Sequence, residues 1–165
     1  MGYLNKAIIN ANRSALNKVI AKAKTAASRA VREVYNIKAR DLNKEIKIRR
    51  ATNSNLRAIL SLKTRRTSLT KFSPRRVKIN KRFGVKVKIK RKEPPKLVKG
   101  AFMADVRNKT NIFKRVGKKR FPIKKLFTLS VAEMFEREGE KALQNLIKNE
   151  LAAIHKRELQ YYIKK

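Results

Sequence analysis

The stretch Val77-Lys78-Ile79-Asn80-Lys81-Arg82-Phe83-Gly84-Val85-Lys86-Val87-Lys88-Ile89-Lys90 decides the fold class. From Val85 onward apolar and basic residues alternate, which is the period of a strand with one face buried. Val77-Lys78-Ile79 repeats the pattern, and Asn80 to Gly84 lies between, with glycine at the turn, so the stretch reads as a β-hairpin. On this reading Val85, Val87 and Ile89 face inward. Lys86, Lys88 and Lys90 then recur on the other face about every 6.6 Å, from a rise of about 3.3 Å per residue. Lys78 on the partner strand joins that row.

Breaks bound the hairpin on both sides. Ser73-Pro74 precedes it, and Glu93-Pro94-Pro95 ends its second strand, because proline cannot donate to a sheet ladder. Upstream, Leu56, Ala58, Leu60 and Leu62 alternate as a half-buried strand does, and Thr64 to Lys71 is polar and reads as a loop. Downstream, Phe102-Met103-Ala104 and Ile112-Phe113 predict a second hairpin around Arg107 to Asn111, followed by a basic turn from Gly117 to Arg120.

The ends of the chain change period. Leu4, Ile8, Ala11, Ala15, Val19, Ala23, Ala26, Ala30 and Val34 recur at spacings of three or four, which predicts a helix from about Leu4 to Tyr35. Its stripe is mostly alanine, so it gains little from burial per residue and needs a closely approaching partner. A short helix from Ala39 to Ile46 follows, with Asp41 in its first turn where the dipole favours an anion, and then a turn at Thr52-Asn53-Ser54-Asn55. Ser130 with Glu133 forms a capping box. Val131, Met134, Phe135, Leu143, Leu146, Ile147, Leu151 and Ile154 then share one face of a second long helix, weakened at Gly139 by about 1 kcal/mol.

The fold class is therefore α+β: a long N-terminal helix, a central antiparallel sheet with basic hairpins, and a long C-terminal helix. The expectation is a single domain over 1–165, with an N-terminal helical part at 1–50, a basic β region at 51–129 and the C-terminal helix at 130–165.

The charge is extreme. The 165 residues carry 46 Lys and Arg against 11 Asp and Glu, a net charge of +35. Residues 1–39 hold eight basic and one acidic residue, residues 40–130 hold 31 and four, and residues 131–165 hold seven and six. Such an excess makes the compact state repel itself. Salt at physiological strength screens only beyond about 8 Å. The middle of the chain thus calls for a polyanion or an acidic protein surface beside it.

Several functions lack the residues they need. Without cysteine there is no disulfide, thiol chemistry or cysteine metal site. The single histidine, His155, reads as a surface residue among Lys156, Arg157 and Glu158. Glu33, Asp41, Glu45, Glu93 and Asp105 show neither acid–base pairing nor metal-ligand spacing. Five glycines give no phosphate-cradling loop. No cofactor and no catalytic residue is expected. No apolar run approaches the roughly 18 residues of a membrane span, and the basic first helix has too weak an apolar stripe for good membrane insertion. Position 6 is Lys6, which argues against myristoylation at Gly2.

The candidate contact residues are basic clusters beside turns together with the lysine strand: Arg49, Arg50, Lys63, Arg65, Arg66, Arg75, Arg76, Lys78, Lys86, Lys88, Lys90, Lys118, Lys119 and Arg120. Loop cations suit contact with phosphate, which carries no sequence information. No base-reading module is present. A plainer reading of the lysine strand is a solvated face or an edge that blocks aggregation.

From Lys99 onward the sequence resembles a known family. Gly100-Ala101-Phe102-Met103-Ala104, then Ile112-Phe113-Lys114-Arg115-Val116-Gly117-Lys118-Lys119-Arg120, then Pro122-Ile123-Lys124-Lys125-Leu126 look like the signature of the phage minor tail protein Z family. Asn36-Ile37-Lys38-Ala39-Arg40-Asp41-Leu42 and Ile46-Lys47-Ile48-Arg49-Arg50-Ala51-Thr52 are similar to its helix-to-strand transition. The resemblance implies a non-enzymatic virion protein at the head-proximal end, or neck, of a tail, made in the host cytoplasm. It further implies contacts with the tail terminator, tail tube and connector proteins, nonspecific contact with DNA in the channel, and a homo-oligomeric ring, a hexamer to match the tail. The alternative from another class is a nonspecific nucleic-acid-binding protein, ribosomal or chromatin-like, which a steep loss of affinity with salt would mark.

Overall fold

The computed structural model describes residues 2–79, 82–106 and 108–164. The chain opens with helix α1 (Gly2–Val34), 33 residues and about 50 Å long. Its buried face is Ala7, Ala11, Ala15, Val19, Ile20, Ala23, Ala27, Ser28 and Val31. Burial thus recurs every fourth residue from Ala7 to Val31, the ridge that packs helix against helix in globular proteins. The expected stripe holds from Ala11 to Ala23. At its ends it drifts: Leu4 and Ile8 are exposed, and Ala27 and Val31 take the places assigned to Ala26 and Ala30.

The partner that so narrow a stripe requires lies in the same chain. Helix α3 (Val131–Met134), a π-helical turn (Phe135–Gly139) and helix α4 (Glu140–Ile163) run back along α1. The two helices are antiparallel: Tyr3 Oη donates to the Tyr162 carbonyl, His155 Nε2 meets Asn12 Oδ1 at 2.5 Å, and Lys22 pairs with Glu150. His155, expected on the surface, is partly buried by this contact. The capping box forms as the sequence predicts, with the Ser130 hydroxyl accepting from the Glu133 amide and the Glu133 carboxylate accepting from the Ser130 amide. The π turn ends at Gly139, where a side chain's Cβ would stand 3.0 Å from the buried Phe135 ring. Of the expected apolar face, Val131, Met134, Phe135 and Ile154 are buried, whereas Ile147 is exposed.

The α+β class holds, with an antiparallel β region between the two long helices that is divided into several small sheets. Among the described residues ten strands form four small antiparallel sheets. Helix α2 (Ala39–Asn43) is shorter than predicted, because Ile46 belongs to strand β1 (Ile46–Arg49), which pairs with β2 (Ile59–Leu62). The expected loop from Thr64 to Lys71 holds β3 (Arg66–Ser68) and most of a 3-10 turn (Leu69–Phe72). There Thr67, Leu69 and Phe72 are buried, and polarity alone hid a segment whose few apolar side chains are all in the core. Strand β3 pairs with β10 (Phe127–Ser130), Phe127 opposite Ser68 and Ser130 opposite Arg66, a partner far along the chain that no local pattern reveals.

The deciding hairpin exists with a different register. Strand β4 (Arg75–Ile79) pairs with β5 (Arg82–Val87), Ile79 opposite Arg82 and Val77 opposite Gly84. Gly84 therefore sits inside the ladder and not at the turn. Of the expected turn over Asn80 to Gly84, Asn80 and Lys81 lie outside the described residues, as does Arg107 of the second. Strand β5 stops at Val87, before the prolines. Residues 88–91 instead leave the sheet and bond to the end of α1: the Asn36 amide donates to the Ile89 carbonyl at 2.7 Å and the Arg91 amide to the Val34 carbonyl at 2.8 Å. An unpredicted strand, β6 (Lys96–Lys99), completes the sheet, and Gly100, at φ 73, turns the chain directly into β7 (Ala101–Val106). Strand β7 pairs with β8 (Lys109–Arg115) as predicted, and β8 with β9 (Ile123–Lys125).

Two apolar clusters hold these parts. The larger gathers Val31, Tyr35, Ile37, Leu42, Phe72, Val85, Val87, Ile112, Val131 and Met134, with Ala27 and Phe135, where the helices meet the sheets. Each fully buried large side chain there contributes about 1.5–3 kcal/mol. The smaller, of Ala15, Val19 and Ile154 with Leu146 and Leu151, joins only the two helices.

Candidate basic interaction surface

The β region carries its charge outward. Arg49, Arg50, Lys63, Arg65, Arg66, Arg75, Arg76, Lys78, Lys86, Lys118, Lys119 and Arg120 are all exposed, while Lys88 and Lys90 are half-buried. The acidic residues remove few of these. Glu45, just before β1, accepts from Lys71 at 2.8 Å and Lys63 at 3.2 Å, and these bonds hold its carboxyl below the usual glutamate range. Glu93 holds Lys90 at 2.9 Å and Lys96 at 3.2 Å, which lowers its own pKa and raises that of Lys90. Lys63 and Lys90 are thus engaged within the chain.

The lysine row takes another course than the one predicted. Register puts Arg75 directly opposite Lys86, whereas Lys78 stands opposite Phe83, on the face of Val85. A turn over Asn80 to Gly84 pairs Lys78 with Lys86; the true register is offset by an odd number of residues, which moves Lys78 to the other face. Lys88 and Lys90 leave the sheet with the segment that joins α1. The basic row runs across the strands instead: Arg75 on β4, Lys86 on β5 and, one diagonal step away on β6, Lys99. All three are exposed.

The neighbouring sheet repeats this arrangement. Lys114 on β8 faces Lys124 on β9, both exposed. Like charges directly opposite each other across strands are destabilising by themselves. The two sheets are tied by Gly100 and by the Arg76 guanidinium, which donates to the Met103 carbonyl at 3.2 Å. Lys99, Lys114 and Lys124 were not among the residues singled out from sequence; their signal is pairing, which depends on turn length. Arg50 lines a separate open cleft of about 770 Å³ with Arg13 and Lys18, between α1 and the turn at 51–54. Asn17 holds that turn by a pair of hydrogen bonds to the Ala51 backbone, at 3.0 and 2.8 Å.

Glu45 and Glu93 offset only a few of these cations, and what such a surface belongs to is decided by comparison with known families. Residues 3–165 match the family described as prophage minor tail protein Z. The chain belongs to that family. It is accordingly a structural component of a phage tail in the virion, and other tail components are its partners. No curated protein and no solved structure matches it. Among the described residues of this minor tail protein Z family member, no helix is long and apolar enough to cross a membrane.

Proposed function

We propose that the protein completes the head-proximal end of the tail, at the neck, and supports head joining and DNA passage. It acts there as a single domain without catalytic activity. The observation that carries this reading is the facing of Arg75 by Lys86 and of Lys114 by Lys124 on exposed sheets, in a chain whose family is a tail family. These pairs repel in the free chain and become favourable against acidic matter. Acidic surfaces of the terminator, tail tube and connector supply that matter, and DNA in the channel supplies phosphate without demanding sequence readout. A ring of six copies follows the symmetry of the tail. The test is a tail preparation made without this protein. Such tails should fail to join heads or to deliver DNA, and normal joining and delivery would refute the proposal.

A further inference from the structure

Among the described residues, the turn between β8 and β9 differs from the other basic turns. Val116 is 67% exposed and Phe121 is 63% exposed, the largest exposures of any big apolar side chain among the described residues. They bracket Gly117, Lys118, Lys119 and Arg120, all exposed. The loop is closed at its base: the Val116 amide donates to the Pro122 carbonyl at 3.1 Å, and the Arg115 guanidinium to the Arg120 carbonyl at 3.3 Å. The Arg120 guanidinium lies 5.9 Å from the centre of the Phe121 ring. From Val106 to Ala132 the sequence contains no acidic residue. A loop that met phosphate alone would need its cations but would gain nothing from displaying an aromatic ring and a valine.

We propose that this loop is a docking tip that seats Phe121 and Val116 in an apolar pocket rimmed by carboxylates on a neighbouring tail protein. Interfaces of this kind are dominated by an aromatic or arginine anchor in a desolvated pocket, with charges at the rim that guide encounter. Phe121 supplies the anchor, and Lys118, Lys119 and Arg120 complement an acidic rim. Closure of the loop base lowers the ordering cost of binding. The inference rests on the tail-completion reading for the partner's location, and it adds which residues hold on and how.

The experiment adds purified chains to nuclease-treated tails assembled without the protein. Retention is measured by sedimentation, and in parallel the binding of duplex DNA and of vesicles containing anionic phosphatidylserine. Phe121→Ser should lower tail retention roughly tenfold or more. It should leave duplex DNA affinity and the thermal unfolding midpoint unchanged, because Phe121 is exposed. Val116→Ser, exposed as well, serves as a second variant and should weaken retention in the same direction. Retention of Phe121→Ser at the wild-type level overturns the inference, as does a matching loss of DNA or vesicle binding, which makes the loop a nucleic-acid or lipid contact. Tails that retain the wild-type chain but still fail to join heads contradict the proposed function and leave the docking tip standing.

Discussion

Arg75 stands directly opposite Lys86 on adjacent antiparallel strands, both side chains are exposed, and no carboxylate pairs with either among the described residues. Cross-strand pairs of like charge oppose folding, and opposite charges at the same sites contribute roughly 0.2–1 kcal/mol. Arg75→Glu should therefore stabilise the free chain by about that amount, read as an increased urea midpoint at low salt. The wild-type chain should itself become more stable as salt rises from about 0.05 to 0.5 M, because screening shortens from beyond 10 Å to a few ångströms. The variant should respond less.

Glu158 is the acid-sensitive contact of the helix pair. Its side chain is 5% exposed, 2.6 Å from Lys18 Nζ, and accepts from Ser14 Oγ at 2.7 Å; Lys18 first and Ser14 second hold its pKa below the usual glutamate value. A carboxylate that keeps its charge to lower pH when folded adds stability above its unfolded pKa, about 4.3. That stability is lost as pH falls through the folded value. Glu158→Gln should cost about 1–3 kcal/mol at neutral pH and less on acidification, followed by urea unfolding of helix at several pH values. An unchanged acid dependence would contradict this role.

Ala15 is 1% exposed within the α1–α4 contact. Ala15→Leu adds volume where the helices approach closely and should cost about 1–3 kcal/mol. Ala21→Leu, on the exposed side of α1, should change stability little, by the same denaturation measurement.

Gly139→Ala reverses the usual preference. Alanine in a helix is normally favoured over glycine by roughly 0.5–1 kcal/mol. At Gly139, however, an added Cβ meets two carbons of the Phe135 ring at 3.0 Å, and that ring is buried, so it has to shift within the core. The variant should melt lower than wild type. Gly117→Ala, with nothing within 4 Å, is the matched control and should not melt lower.

The helices were legible because 3.6-residue periodicity and the Ser130–Glu133 cap are local signals. The β7–β8 hairpin was legible because a short apolar run, Phe102-Met103-Ala104 on one side and Ile112-Phe113 on the other, flanks a polar bend. What stayed hidden depends on partners distant in sequence. Strand β3 has three residues and takes its place from β10, and Lys88 to Lys90 continue the alternating pattern yet bond to the end of α1. The face of Lys78 turned on the length of one turn. Of the basic surface, exposure was readable from composition, but the opposition of Arg75 to Lys86 and of Lys114 to Lys124 was not.

The most direct measurement is sedimentation of nuclease-treated tails with the doubly substituted chain Arg75→Glu and Lys114→Glu. Each substitution turns a repelling pair into an attracting one, so the free chain should gain stability while its docking surface loses positive charge. Reduced retention on tails alongside an unchanged or higher unfolding midpoint is the expected result. Retention equal to wild type would mean that the positive sheets do not face acidic partners in the tail.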